Sequence, residues 1–134
     1  MFQLPKKYAN EIVAHAREDA PNECCGILAG TDGRVEKLYR TKNAEQSPVK
    51  YAIDPNDMFQ AYKEAEERGW EFIAFYHSHT FSEPYPSPTD VRLATWPDSL
   101  YILVSLRNAE NPEIRAFHIV DGRITEEELV VEEE

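Results

Sequence analysis

Two histidines stand one residue apart at the end of an apolar run near the middle of the chain. The run covers residues 71–76 and leads directly into His77-Ser78-His79. Its apolar content predicts a buried core strand, and side chains two residues apart on a strand project from the same face. We therefore expect the imidazoles of His77 and His79 to converge at the end of a strand around which the rest of the fold packs.

A second polar motif follows after a short loop over residues 80–86. Seven residues separate His79 from Ser87, and two separate Ser87 from Asp90. The run Ser87-Pro88-Thr89-Asp90 predicts a helix start, with serine at the N-cap, proline at the first helical position and an acid at the third. An aspartate in the first turn of a helix is held in place, as a metal ligand must be.

Two neutral imidazoles and one carboxylate form the three-ligand set of a catalytic zinc site, which leaves a fourth position open to water. Each motif also has a purely structural explanation. His77 and His79 can be ordinary half-buried histidines, and a helix cap alone accounts for Ser87 and Asp90. The cap does not explain paired histidines just upstream, so the joint pattern favours one zinc ion per chain, bound by His77, His79 and Asp90.

An acidic residue precedes the first apolar strand. Glu23 lies in Pro21-Asn22-Glu23-Cys24-Cys25, directly before the apolar run. Taken alone, such a residue is most often a solvent-exposed loop acid, but its placement directly before an apolar strand favours a functional role. The two cysteines are adjacent, which is poor geometry for a disulfide and the wrong spacing for a cysteine zinc site. We predict that both thiols are reduced and packed; a catalytic thiol is the alternative.

Together, these residues resemble the JAMM motif of the Jab1/MPN metalloprotease family, in which an upstream glutamate is followed by H-S-H, seven residues, Ser, two residues and Asp. The resemblance covers essentially the whole chain. It implies one domain over residues 1–134 with the α/β, cytidine deaminase-like MPN fold, a curved mixed β-sheet flanked by helices. It also implies that Glu23 is the general base, which carries a proton from the zinc-activated water to the leaving amine, and that Ser87 donates a hydrogen bond to the oxyanion.

The residues after the second histidine are similar to the prokaryotic branch of the family. Many members carry H-S-H-P and act as isopeptidases on ubiquitin-like proteins, whereas this chain has Thr80 and continues to Tyr85-Pro86-Ser87. The resemblance implies a partner that is also the substrate, a ubiquitin-fold sulfur-carrier protein with a C-terminal Gly-Gly from which cysteine or a similar adduct is released. A deubiquitinase-like isopeptidase, a general peptidase and a metal-free MPN scaffold are alternatives. A zinc deaminase also pairs zinc with a free glutamate, but its H-x-E and P-C-x-x-C motifs are absent from this sequence.

Composition excludes other classes of function. The net charge is −11, from 14 Lys and Arg against 25 Asp and Glu, which disfavours binding to nucleic acid. No apolar run has the length of a bilayer span, and the N-terminus lacks the apolar stretch of a signal peptide. We therefore expect a cytoplasmic protein without a membrane partner, and the 134 residues suffice for one core.

The remaining sequence predicts helices and strands around that core. A helix opens at Pro5, with His15 off its buried face. Its apolar stripe consists of Tyr8, Ile12, Val13, Ala16 and Ala20. A second helix, capped by Asp54-Pro55, ends at Gly69, and a third follows Pro88 and stops before Trp96-Pro97. The inward side chains of the second helix are Met58, Phe59, Tyr62 and Ala65. Further strands are predicted over 25–29, 35–39, 49–53, 100–106, 113–120 and 124–131, with His118 as a structural histidine in the last hairpin.

Overall fold

The chain alternates strands and helices in the predicted order except that the predicted strand over 49–53 is missing, and it has additional strands at both ends. The computed structural model describes residues 1–133. Its elements are β1 (Phe2–Pro5), α1 (Lys6–Asp19), β2 (Cys25–Thr31), β3 (Arg34–Thr41), α2 (Pro55–Arg68), β4 (Glu71–His79), α3 (Pro88–Leu93), β5 (Leu100–Ser105), β6 (Glu113–Val120), β7 (Arg123–Glu127) and β8 (Leu129–Glu132). Within that part of the chain, no helix is long and apolar enough to cross a membrane.

A six-stranded sheet occupies the centre, with the strand order β3-β2-β4-β5-β6-β7. Strands β4 and β5 run parallel, whereas the other neighbouring pairs in this sheet are antiparallel. Strands β1 and β8 form a separate parallel pair. The prediction of a mixed sheet combined with helices is confirmed.

The two long helices cover opposite faces of this sheet, because the strands bury side chains on both sides. One apolar cluster joins α1 to one face through Ile12, Ala16, Leu28, Tyr76 and Ile102. The other joins α2 to the opposite face through Ile27, Ala61, Ala65, Phe75 and Leu103. Every residue of β5 is buried, as its continuous apolar run predicts.

The predicted strand over residues 49–53 is wrong. This segment is irregular and forms a single backbone bridge, between Ile53 and Asn43. The Asn43 side chain forms hydrogen bonds that a neighbouring strand would otherwise form. Its Nδ2 donates to the Lys50 carbonyl at 3.1 Å, and its Oδ1 accepts from the Ala52 amide at 3.1 Å. A side chain that bonds to backbone groups in this way competes with sheet pairing.

The predicted inner faces of α1 and α2 also need correction. His15 is buried, 4% exposed, because its Nδ1 lies 2.7 Å from the Tyr76 hydroxyl. On α2, the alanines face the sheet, whereas Phe59 and Tyr62 are 59% and 48% exposed. The face of α2 that packs on the sheet therefore consists of small residues, Ala61 and Ala65, and the two aromatic side chains lie beside that face.

The chain ends differ from the predicted pattern as well. Helix α1 ends at Asp19, so Ala20 lies outside its stripe and is exposed. The predicted last strand over 124–131 is two strands, since β7 closes the large sheet and β8 leaves it to pair with β1. Strand β1 has only four residues, and so short an apolar segment carries little periodicity to detect.

We predict that Gly26→Ala destabilises the fold. A Cβ at this position would lie 2.2 Å from the Tyr76 ring, and Tyr76 is fully buried between β2 and α1. Overpacking of this kind costs about 1–3 kcal/mol, to be measured as a lower urea midpoint. Glu36→Ala on the exposed side of β3 is the matched control and should change stability by less than about 0.5 kcal/mol. Equal midpoints for the two variants would contradict the prediction.

Candidate metal centre

The two histidines of the sequence motif lie at the C-terminal end of β4, on the face that α2 covers. His77 is paired with Cys25 on β2 and with Leu103 on β5. Strand alternation places Phe75, His77 and His79 on one face, and both imidazoles are buried. Because β4 is paired on both sides, the two rings project from a backbone that cannot shift independently of the sheet.

Asp90 reaches the same place from the first turn of α3. Ser87 caps this helix: its Oγ accepts a hydrogen bond from the Asp90 amide at 3.1 Å, and Asp90 Oδ2 accepts one from the Ser87 amide at 2.9 Å. This reciprocal pair is the predicted capping box. The cap orients the carboxylate, so a structural role and a ligand role are compatible for the same atoms.

The three predicted ligands converge. Nε2 of His77 and Nε2 of His79 each lie 3.0 Å from Asp90 Oδ2, and a ligand atom of each residue lies within 4.8 Å of the others. His79 Nδ1 donates to the Glu83 carbonyl at 2.9 Å, which in the neutral ring leaves the lone pair on Nε2. Two imidazoles and one carboxylate are a donor set that fits a metal ion with an open coordination position.

Electrostatics favours the ionisation states that metal binding requires at two of these ligands. Burial lowers the pKa of His77, so the neutral imidazole predominates. Burial also acts to raise the pKa of Asp90, but hydrogen bonds with His77 and with the protonated form of His79 outweigh it and hold that pKa well below its usual range. The aspartate therefore stays ionised. Burial acts to lower the pKa of His79, but the hydrogen bonds to Asp90 and to the Glu83 carbonyl outweigh it and raise that pKa, so a metal ion at His79 Nε2 would displace the proton on this nitrogen.

Glu23 lies beside this cluster without belonging to it. Together with His79 and Ser87, it lines a cavity of about 180 Å³. Its carboxyl group is buried, and burial raises its pKa to about 8, against the opposing effect of His79. Among residues 1–133, Glu23 Oε1 and His77 Nδ1 are the two buried side-chain polar atoms without a hydrogen-bond partner. A cation near Glu23 would stabilise its charged form.

Sequence reasoning missed three residues that shape the site. The Tyr51 ring stacks on His77, with centroids 4.2 Å apart and planes 20° apart. Ser78 and Thr80 bind the segment that carries Glu23, through hydrogen bonds to Cys24 and Pro21. Strand alternation would have shown that Ser78 faces away from the histidines, but no local signal marks Tyr51 in an irregular segment.

The two cysteines have no part in this cluster. Both are free and buried, as predicted. Burial raises the pKa of Cys24 to about 12 and that of Cys25 to about 11, so neither is a thiolate at neutral pH. A catalytic thiol, which acts as the thiolate, is therefore disfavoured.

Curated relatives resemble the chain over most of its length. The CysO-cysteine peptidase of Mycobacterium tuberculosis is 46% identical over 127 residues, which cover 93% of this chain and 87% of the relative. The desampylase of Haloferax volcanii is 39% identical over 103 residues, which cover 72% of this chain and 74% of the relative. The similarity to the mycobacterial relative thus extends over nearly the whole chain.

Solved structures share the fold. Protein DSY2949 from Desulfitobacterium hafniense superimposes with a TM-score of 0.87 at 38% identity, covering 100% of this chain and 94% of the other. AF2198 from Archaeoglobus fulgidus, a Jab1/MPN domain protein, gives a TM-score of 0.62 at 19% identity, with 97% of each chain covered, which supports the fold alone. The sequence profile described as prokaryotic homologs of the JAB domain matches residues 5–120. The resemblance inferred from the motif is therefore confirmed, and the chain belongs to the prokaryotic homologues of the JAB domain.

Proposed function

We propose that this chain is a zinc-dependent peptidase that hydrolyses the amide bond after the C-terminal Gly-Gly of a ubiquitin-fold sulfur carrier and releases cysteine or a similar adduct. The observation that carries the proposal is the placement of Glu23. A buried carboxyl group with an unpartnered oxygen shares a small cavity with a predicted metal ligand and a serine hydroxyl. Burying such a group is unfavourable, and its placement beside the predicted metal ligands favours a chemical role.

The ligand set favours zinc, with one ion per chain. Two nitrogen donors suit zinc better than magnesium or calcium, which prefer oxygen ligands. A zinc ion held by His77, His79 and Asp90 would supply a Lewis acid and lower the pKa of a water in its open position toward about 7. The proposed protein contribution is to hold these ligands in place through β4 and the cap of α3.

Glu23 and Ser87 would perform the proton transfer and the charge stabilisation. Glu23, which we place outside the ligand set, would take the proton from the attacking water and return it to the leaving amine. Ser87 Oγ already accepts from the Asp90 amide, so its own hydrogen can be donated to the oxygen on which negative charge develops. Each residue lines the cavity that a scissile amide would enter.

The entrance to this cavity favours an extended and narrow substrate. The exposed side chains of Val49 and Phe81 flank it, and a Gly-Gly tail has no side chains to clash with them. The relatives support a protein conjugate as substrate, since one is named a CysO-cysteine peptidase and another a desampylase. Because of the similarity to a desampylase, an isopeptidase acting on protein conjugates is the second candidate function.

The first prediction from the proposed function concerns the metal. Purified protein should contain about one zinc per chain, measured by elemental analysis, because the ligand set matches a catalytic zinc site. His77→Ala should lose the zinc, whereas His118→Ala, which removes a histidine paired with Glu127 on the β6–β7 hairpin, should retain it. Wild-type protein that binds no zinc on titration would point to the scaffold alternative.

The second prediction concerns Glu23. The variant Glu23→Gln should keep its fold and its metal and lose about 10²-fold to 10⁴-fold in kcat, the range typical of general acid–base groups. Glu66→Gln, at an exposed position of α2, is the control for the loss of one carboxylate. Unchanged turnover would make Glu23 a bystander, and loss of zinc from Glu23→Gln together with retention in His77→Ala would reverse their roles.

The third prediction concerns the substrate. A ubiquitin-fold carrier with cysteine attached after its C-terminal Gly-Gly should lose one residue when incubated with the zinc-loaded enzyme, as followed by mass spectrometry. Free dipeptides should be poor substrates, because the folded carrier supplies most of the binding energy. An intact conjugate alongside efficient cleavage of unrelated short peptides would assign the chain to the general peptidases.

A further inference from the structure

The middle residue of the H-S-H motif faces away from the metal ligands. Strand alternation places Ser78 on the face of Tyr76, toward α1, and its side chain is fully buried. A buried hydroxyl without a hydrogen bond is unfavourable. This one accepts a hydrogen bond from the Cys24 amide at 2.8 Å, and the Cys24 carbonyl accepts one from the Ser78 amide at 3.1 Å.

The Cys24 amide belongs to the peptide plane that begins at the Cα of Glu23. Because a peptide unit is planar, the hydrogen bond to Ser78 fixes the orientation of the backbone that carries the Glu23 side chain. The carbonyl of the same peptide unit accepts from Asn43 Nδ2 at 3.0 Å, and the Glu23 amide donates to the Ser47 carbonyl at 2.8 Å. The backbone on both sides of Glu23 is thus held by named partners.

Thr80 supplies a second connection from the same end of β4. Its Oγ1 donates to the Pro21 carbonyl at 2.9 Å, two residues before Glu23. Ser78 and Thr80 alternate along the chain with His77 and His79, so one short segment presents two imidazoles to one face and two hydroxyls to the residues beside Glu23. The position of Glu23 relative to the imidazoles is therefore set by hydrogen bonds from the direct sequence neighbours of His77 and His79.

We propose that Ser78 and Thr80 are positioning residues that act through Glu23, by fixing the backbone of residues 21–24 against the strand that carries His77 and His79. This inference rests on the proposed function, in which Glu23 moves the proton. Misplacement of a catalytic group by about 1 Å can cost about 10²-fold in rate. Loss of either hydroxyl should therefore reduce turnover while the metal ligands themselves stay intact.

The test combines turnover with a readout that needs no substrate. Ser78→Ala, loaded with zinc, should lower kcat on the carrier–cysteine conjugate about 10-fold to 100-fold, with KM and zinc content unchanged. Amide hydrogen exchange by NMR should show Cys24 exchanging at least about tenfold faster than in wild type, because its amide has lost its acceptor. In the Glu23→Gln background, Ser78→Ala should lower kcat no further, since the group it positions is already absent.

Ser99→Ala is the matched control. It also removes a buried serine hydroxyl, at the residue before β5, which donates to the Phe72 carbonyl at 2.8 Å near the opposite end of β4. It should leave kcat and the exchange rate of the Cys24 amide unchanged. Unchanged kcat in Ser78→Ala, loss of its zinc, or losses that add to those of Glu23→Gln would each overturn the inference.

Thr80 keeps the inference testable if Ser78→Ala does not fold. Thr80→Val, which conserves shape and removes the hydroxyl, should lower kcat, and Thr80→Ser, which restores the hydroxyl, should recover it. Equal kcat for Thr80→Val and wild type would contradict the inference. If the wild-type enzyme does not cleave the conjugate, the proposed function fails, whereas the exchange rate of the Cys24 amide still tests whether Ser78 holds the Glu23 backbone.

Discussion

Strand β4 is hydrogen-bonded along both edges, to β2 and to β5, and this double pairing fixes the face that each of its residues occupies. A shift of one residue in register would turn every side chain to the other face. The two neighbours prevent such a shift, so the imidazoles of His77 and His79 stay on the face of α2. The same constraint directs Ser78 toward the Glu23 segment, so one strand positions both imidazoles and one of the backbone contacts of that segment.

The parts of the site that the sequence predicts are those set by local geometry. Strand alternation relates His77 to His79, and the helix cap relates Ser87 to Asp90, so both pairs follow from spacing over a few residues. Whether the two pairs meet depends on the loop between them. In this loop, the Glu83 carbonyl accepts a hydrogen bond from His79. No spacing rule predicts this contact, and the expectation that the two pairs meet comes from the donor set that they form together.

The errors share a different cause, which is competition from tertiary contacts. The segment 49–53 has the composition of a strand, but the Asn43 side chain occupies its backbone groups and Tyr51 turns onto His77. His15 is polar and yet buried, because Tyr76 supplies a hydrogen-bonding partner from β4. Partners of this kind are distant in sequence and leave no trace in the periodicity of either segment.

Helix α3 has only six residues, too few for a helix to persist without external support. Asp90 Oδ2 both accepts from the backbone at the start of this helix and lies against the two imidazoles. An ion bound there would favour the folded form of residues 87–93 by mass action, and the helix would in turn pre-organise its ligand. Binding of the ion and folding of residues 87–93 would then be coupled in one equilibrium. Removal of the ion by a chelator would loosen α3 before it affects the sheet.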